Sequence, residues 1–184
     1  MNDNRVTVFI DASNLWQVIK SKGQTIDFVK LKKFMIDEFS ASSVSIYYYT
    51  AYPKEGTRVY STAKQHDFFA FLEKRVGFIV RKKPLKTIIA HTDNGDVPFE
   101  KGNMDVEITI DAVNNINSYD VAVFFCGDSD FLALVKFIRN KDKKVYVFSS
   151  KNNISKEMKT GSNGYTDLLE IDGIWRSSLT HRKR

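Results

Sequence analysis

Val121–Leu134 runs VAVFFCGDSDFLAL. Its first six residues carry no charge and are rich in β-branched and aromatic side chains, which marks a strand buried on both faces. The run stops at Gly127, and Asp128, Ser129 and Asp130 precede a helical pattern. Two carboxylates therefore sit where a dry strand hands over to a helix. In open α/β sheets, ligands bind outside the carboxyl ends of the strands. Whether this edge is a site depends on what else the chain sends there.

Working outward, Arg5–Ile10 reads as a first buried strand, ending at Asp11. A helix follows from Ala12-Ser13-Asn14 and closes at the Lys22-Gly23 stop. A second helix is expected from Asp27 to about Phe39, and strand two over Ser43–Tyr49, with a loop through Pro53 and Gly56. Thr62–Val76 has the pattern of an amphipathic helix ended by Gly77, and strand three starts at Phe78–Arg81. Leu85–Ala90 reads as a short extra strand, and His91–Pro98 as polar turn. A helix from about Met104 to Asn115 leads into the focal strand, which is strand four. Strand five (Val145–Ser149), a short helix around Ser155–Lys159 and a docked tail over Tyr165–Trp175 complete the chain. Strands alternating with helices predict a three-layer α/β/α sandwich around a mainly parallel, five-stranded sheet. Right-handed crossovers place every strand's carboxyl end on one edge, and an order of 3-2-1-4-5 makes strands one and four neighbours. We expect one domain over 1–176 and a basic tail over 177–184.

The 184 residues, 42% hydrophobic, suit one full core. No apolar run approaches the roughly 18 residues that a membrane span needs. The polar start, Met1-Asn2-Asp3-Asn4, is unlike a signal peptide. The single cysteine, Cys126, cannot make an internal disulfide and is expected in the core, so a cytoplasmic protein is anticipated. The formal charge of +6 is unevenly spread, with clusters at Lys30-Lys32-Lys33, Arg81-Lys82-Lys83-Lys86, Lys141-Lys143-Lys144 and Arg182-Lys183-Arg184. Each cluster alone reads as a solvated face. Together, around acidic strand ends, they favour a polyanionic partner.

Asp11 follows strand one, and Asp128 and Asp130 follow strand four. Asp105 begins its helix above a mainly apolar face of Ile108, Thr109, Ala112, Val113 and Ile116 that must pack on the sheet. Four carboxylates are thus expected to converge. Two charges about 4 Å apart repel by roughly 4 kcal/mol at an effective dielectric near 20, so such a cluster calls for protons or a divalent cation. Oxygen-only donors, with no Cys/His set of zinc spacing, select Mg²⁺ or Mn²⁺, one ion or two. Taken alone, Asp128 or Ser129 reads equally as a helix N-cap, as does Asn103 before Asp105. Capping does not account for Asp11 or for three elements meeting at one edge. Asp111 lies about 120° round the helix from Asp105 and is expected behind the ligands or partly exposed.

Asp11-Ala12-Ser13-Asn14, Lys101-Gly102-Asn103-Met104-Asp105 and Gly127-Asp128-Ser129-Asp130-Phe131 resemble, in order and spacing, the motifs of NYN domains. These form the LabA-like branch of the PIN-like nuclease superfamily. The resemblance implies a metal-dependent ribonuclease, an endonuclease acting on RNA phosphodiesters. By resemblance, Asp11, Asp105, Asp128 and Asp130 are the catalytic, metal-holding acids. Asn14 contacts substrate or the water at the metal, and Lys101 and Ser129 are expected at the substrate. Many relatives have one residue fewer before the aspartate of the Lys101 turn. Some domains of the superfamily bind RNA without cutting it, so a non-catalytic RNA-binding or regulatory module is the second reading. The sequence leaves a homodimer open.

Tyr47, Tyr48, Tyr49 and Tyr52 close strand two beside the expected cleft, where rings can stack unpaired bases of single-stranded RNA. Sheet packing is the favoured reading of these tyrosines. Trp16, two residues after Asn14, is expected in the core rather than as a base platform, and His66, His91 and His181 on the surface. Ser129 has no histidine partner and reads as a cap rather than a nucleophile. No Gly-rich or Walker-type loop follows strand one, which argues against a nucleotide-cofactor enzyme. Leu15 stands where a von Willebrand-type adhesion loop needs its last serine. Ser13 stands where a haloacid-dehalogenase-type loop needs a second aspartate.

Overall fold

A computed structural model describes residues 4–54, 62–92 and 95–178. Gly56, His181 and the Arg182-Lys183-Arg184 cluster lie outside the described residues. β1 (Arg5–Asp11) and β7 (Val121–Phe125) lie side by side and parallel, with Ile10 opposite Phe125. On the other flank of β1 runs β3 (Ser43–Tyr52), which places Asp11 opposite Tyr49. β4 (Ile79–Pro84), β8 (Lys144–Ser149) and β9 (Gly164–Asp167) extend the sheet to the order β4-β3-β1-β7-β8-β9, parallel throughout. The expected order of five strands is present, with β9 added as a sixth at the edge. Gly-Tyr-Thr-Asp of β9 is short and only half buried, so it lacks the apolar run that announces a central strand.

The two-residue period of the strands sorts their side chains into two cores. Val6, Val8, Ile10, Val121, Val123 and Phe125 pack under α1 (Ala12–Lys22) and α2 (Phe28–Glu38), joined by α3 (Ala63–Phe71) and its terminal π-helical turn Leu72–Val76. Phe9, Ala122, Phe124 and Cys126 face α4 (Asp105–Asn114), α5 (Leu132–Arg139) and α6 (Lys156–Gly161). Helix ends follow their sequence signals. Asp27 accepts from the amides of Val29 and Lys30, and Gly23 and Gly77 take the left-handed backbone that stops α1 and the π turn.

Two features differ from expectation. Residues read as a lone strand and a polar turn form a hairpin, β5 (Lys86–Thr92) against β6 (Gly95–Lys101), with Ile88 opposite Phe99. Asn94-Gly95 is a hairpin signal, and Pro98 is tolerated because neither strand of the pair is a central one. Ser178, assigned to the tail, instead ends β10 (Trp175–Ser178), which pairs antiparallel with β2 (Gln24–Ile26). A contact so distant in sequence leaves no local mark. Among the described residues, no helix is long and apolar enough to cross a membrane.

At the amino end of the sheet, Arg5 of β1 and Asp120, just before β7, form a two-pronged pair at 2.9 Å, which Lys143 joins at 3.3 Å. The Arg5 guanidinium holds the Asp120 carboxyl well below the usual carboxylate range. Its stabilising contribution is therefore full at neutral pH and fades as the pH falls below about 3.9, where the unfolded chain takes up the proton. Both side chains are more than a third exposed, which keeps the effect small. Asp120→Asn is expected to cost about 0.2–1 kcal/mol at pH 7. In urea unfolding, the gap from the parent protein should close progressively in acid; a constant gap would refute this account.

Candidate active site

Asp11 ends β1 and caps α1. Although it is only 5% exposed, its oxygens are well supplied with donors. Oδ1 accepts from the Ser13 amide (2.9 Å) and hydroxyl (2.8 Å), and Oδ2 from the Asn14 side-chain amide (2.6 Å). Asn14 also accepts from the Gly127 amide at 3.5 Å, so one side chain links the β1 and β7 loops. Across that link Asp128 accepts from the Asp130 amide at 3.0 Å and caps the short 3₁₀ turn Ser129–Phe131. The cap role thus belongs to Asp128, while Ser129 stands exposed beside it.

Asp105 opens α4. Asn103 is its local partner: the Asn103 side-chain oxygen accepts from the Asp105 amide at 3.1 Å, and its Nδ2 donates to the Asp105 carboxylate. Burial raises the Asp105 carboxyl above its ordinary range, and the charges of Asp11, Asp128 and, least, Asp130 push the same way, against the Asn103 bond. The fold therefore brings the four expected carboxylates close enough for three of them to act on the fourth. Among the described residues, no three His, Cys, Asp or Glu side chains are already arranged to cage a metal ion.

The other expected residues fall around this edge. Asn14, Asp128 and Ser129 line an open cleft of about 450 Å³, and Asp11 lines a neighbouring one of about 370 Å³ with Trp16, Tyr48 and Gly102. Lys101 ends β6 opposite Lys86, and both line an adjoining pocket of about 300 Å³ with Lys83, whose ammonium donates to Glu107 at 2.6 Å. Lys83 and Lys86, expected only as part of a basic cluster, share this pocket from β4 and from the start of the hairpin. Asp111 stands apart, bound by the Tyr49 hydroxyl (3.0 Å) and Arg81 (2.9 Å). Tyr47, Tyr48 and Tyr49 are buried, as sheet packing requires, and burial raises their hydroxyl pKa values. Cys126 is buried, and desolvation raises its thiol far from reactivity.

Trp16 corrects an expectation. It is 48% exposed, because the buried stripe of α1 is Leu15, Val18 and Ile19, and the adjacent position turns about 100° away.

Two glycines let the loops meet. A Cβ on Gly127 would lie 2.2 Å from the Asn153 carbonyl oxygen, and one on Gly102 2.4 Å from the Ala51 Cβ. The Gly127 carbonyl also accepts from the Ser155 amide at 2.9 Å, tying the β7 and β8 loops together.

With this geometry in view, the comparisons with known proteins are direct. Residues 5–169 match the NYN domain, and the chain belongs to that family, a branch of the PIN-like nuclease superfamily. It is 29% identical to the Low amplitude and bright protein LabA of Synechococcus elongatus over 168 residues, which cover 91% of this chain and 86% of that protein. In fold it is similar to a protein of unknown function from Vibrio parahaemolyticus, with a TM-score of 0.71 and 23% identity over 95% of this chain and 97% of the other.

Gly127→Ala is expected to destabilise the protein by about 1–3 kcal/mol, because its neighbour is backbone that cannot swing aside; an unchanged melting temperature would contradict the close approach. For Asp105, a carboxyl raised in the folded state disfavours folding above about pH 3.9, and the penalty is relieved as the pH falls through the folded value. Asp105→Asn should therefore raise thermal stability at pH 7 in EDTA, by about 1 kcal/mol or less given its partial exposure. A lower melting temperature would show that the lost Asn103 geometry outweighs the repulsion.

Proposed function

We propose that this protein is a metal-dependent endoribonuclease, with Asp11, Asp105, Asp128 and Asp130 as its catalytic acids. The observation that supports the reading is the raised carboxyl of Asp105: burial lifts it, and the charges of Asp11, Asp128 and Asp130, acids from two other elements, push the same way. An all-oxygen donor set of this kind fits Mg²⁺ or Mn²⁺. Bound there, the ion would supply Lewis-acid character and positive charge against the phosphodiester.

The chain's own residues do the rest. Ser13 and Asn14 hold the Asp11 carboxylate in one orientation, and Asn103 does the same for Asp105, so neither has to be ordered when substrate arrives. Asn14 is thereby a positioning residue as well as a candidate substrate contact. Lys83, Lys86 and Lys101 offer ammonium groups to a phosphate flanking the scissile one. Ser129, exposed beside Asp128, is placed to meet the ribose or phosphate on the other side. Single-stranded RNA suits a site reached through open clefts, since a flexible backbone can bend into them.

One observation favours the second reading, a non-catalytic RNA-binding module. The described acids do not yet form a cage, and the oxygens of Asp11 are already engaged within its own loop. Labelled single-stranded RNA, incubated with Mn²⁺, Mg²⁺ or EDTA, separates the two readings. Cleavage that requires the cation and disappears in Asp128→Asn, with the fold intact by circular dichroism, is the expected result. Binding without cleavage would establish the module instead, and chelator-insensitive cutting would exclude the proposed acids. Mn²⁺ should also raise the melting temperature of the parent protein, and raise it less in Asp11→Asn; equal shifts would place the ion elsewhere.

A further inference from the structure

The Asp11 cleft continues past the carboxylates. Trp16 and Tyr48 line it and also line an apolar groove of about 430 Å³, completed by Phe28, Phe68 and Phe71 with Arg176 beside them. The continuity follows from helix geometry: Ala12, Trp16 and Ile19 share one stripe of α1, so a path along that helix leads from the acids to the groove. Two of the groove's rings are left open to solvent, Trp16 at 48% and Phe71 at 36%. Gly102 joins the same cleft to the pocket of Lys83, Lys86 and Lys101. Ammonium groups, the Asp11 carboxylate and aromatic rings thus follow one another along a connected track.

We propose that the aromatic groove receives one unpaired base of an RNA strand whose backbone crosses the carboxylates, with Trp16 as its stacking platform. The inference rests on the RNA-directed reading above and adds where the strand is gripped. A nucleobase has two apolar faces and a polar edge, and it stacks on indole or phenyl rings whatever its identity. A paired base cannot enter such a groove, so single strands are selected over duplex. Arg176, held by Asp27 at 3.5 Å, adds a cation next to the rings, the charge required beside the phosphate that accompanies the base. A protein segment seated in the groove would need no connection to the acids, whereas a strand that spans both sites does.

Binding is measured in EDTA, with short single-stranded oligo(A) and oligo(U), so that cleavage plays no part. Trp16→Ala should weaken binding roughly 5- to 100-fold, and Trp16→Phe should retain most of the affinity. The protein has two tryptophans, so a Trp175→Phe background leaves Trp16 as the sole emitter, and its fluorescence should be quenched by the oligonucleotide. Should Trp16→Ala fold poorly, Trp16→Phe and the quenching decide. Unchanged affinity in Trp16→Ala with no quenching overturns the groove and leaves the ribonuclease reading intact. Failure of the parent protein to bind either oligonucleotide, in EDTA and with Mn²⁺ alike, overturns both.

Discussion

The parallel pairing of β1 with β7 is the constraint on which the rest of this protein depends. Val6 to Ile10 and Val121 to Phe125 are buried on both faces, and each fully buried large side chain contributes about 1.5–3 kcal/mol. Slipping either strand by one residue would exchange its two faces between cores of different shape, so the register is held firmly. That register ends Ile10 and Phe125 together, and the next residues of both chains must emerge at the same place. Asp11 and the Gly127-Asp128 turn are neighbours for this reason rather than through any attraction between them.

Burial raises the Asp105 carboxyl, the charges of Asp11, Asp128 and Asp130 add to it, and what holds the acids is neutral scaffolding. Ser13 and Asn14 anchor Asp11, Asn103 anchors Asp105, and the Asp130 amide anchors Asp128. Apolar burial beneath outweighs the repulsion, and glycines at 102 and 127 let the supporting loops approach without a Cβ. Side chains held in this way keep one orientation without help from a ligand. The opposite edge shows the contrast: there Asp120 is met by Arg5 and Lys143, and its charge stabilises. One sheet thus carries a neutralised acidic end at Asp120 and, at its other edge, acids with clefts beside them.

Much of this was legible along the chain. The dry runs of β1 and β7, the helix start at Asp27 and the stops at Gly23 and Gly77 are local signals, and the structure follows them, whereas Asp11 caps α1 where capping was not expected of it. The side-by-side placement of strands one and four followed from crossover handedness once the alternation of elements was read. The misreadings share a physical origin. β9 and the β2–β10 pair are short and half buried, stabilised by partners far off in sequence. Trp16 stands out of the core because the neighbouring Leu15 stripe takes the buried face of α1.

Sequence alone determined the sandwich, the strand order and which acids stand at strand ends, because burial periodicity and chain handedness act locally and leave their marks in order. Tertiary structure decided the remainder. It settled that Asn14 bridges two loops, that Lys83 of β4 and Lys86 and Lys101 of the hairpin share a pocket adjoining the Asp11 cleft at Gly102, and that an aromatic groove opens from that cleft. Those arrangements join residues tens of positions apart, and only the packing of finished elements specifies which side chains then share a space.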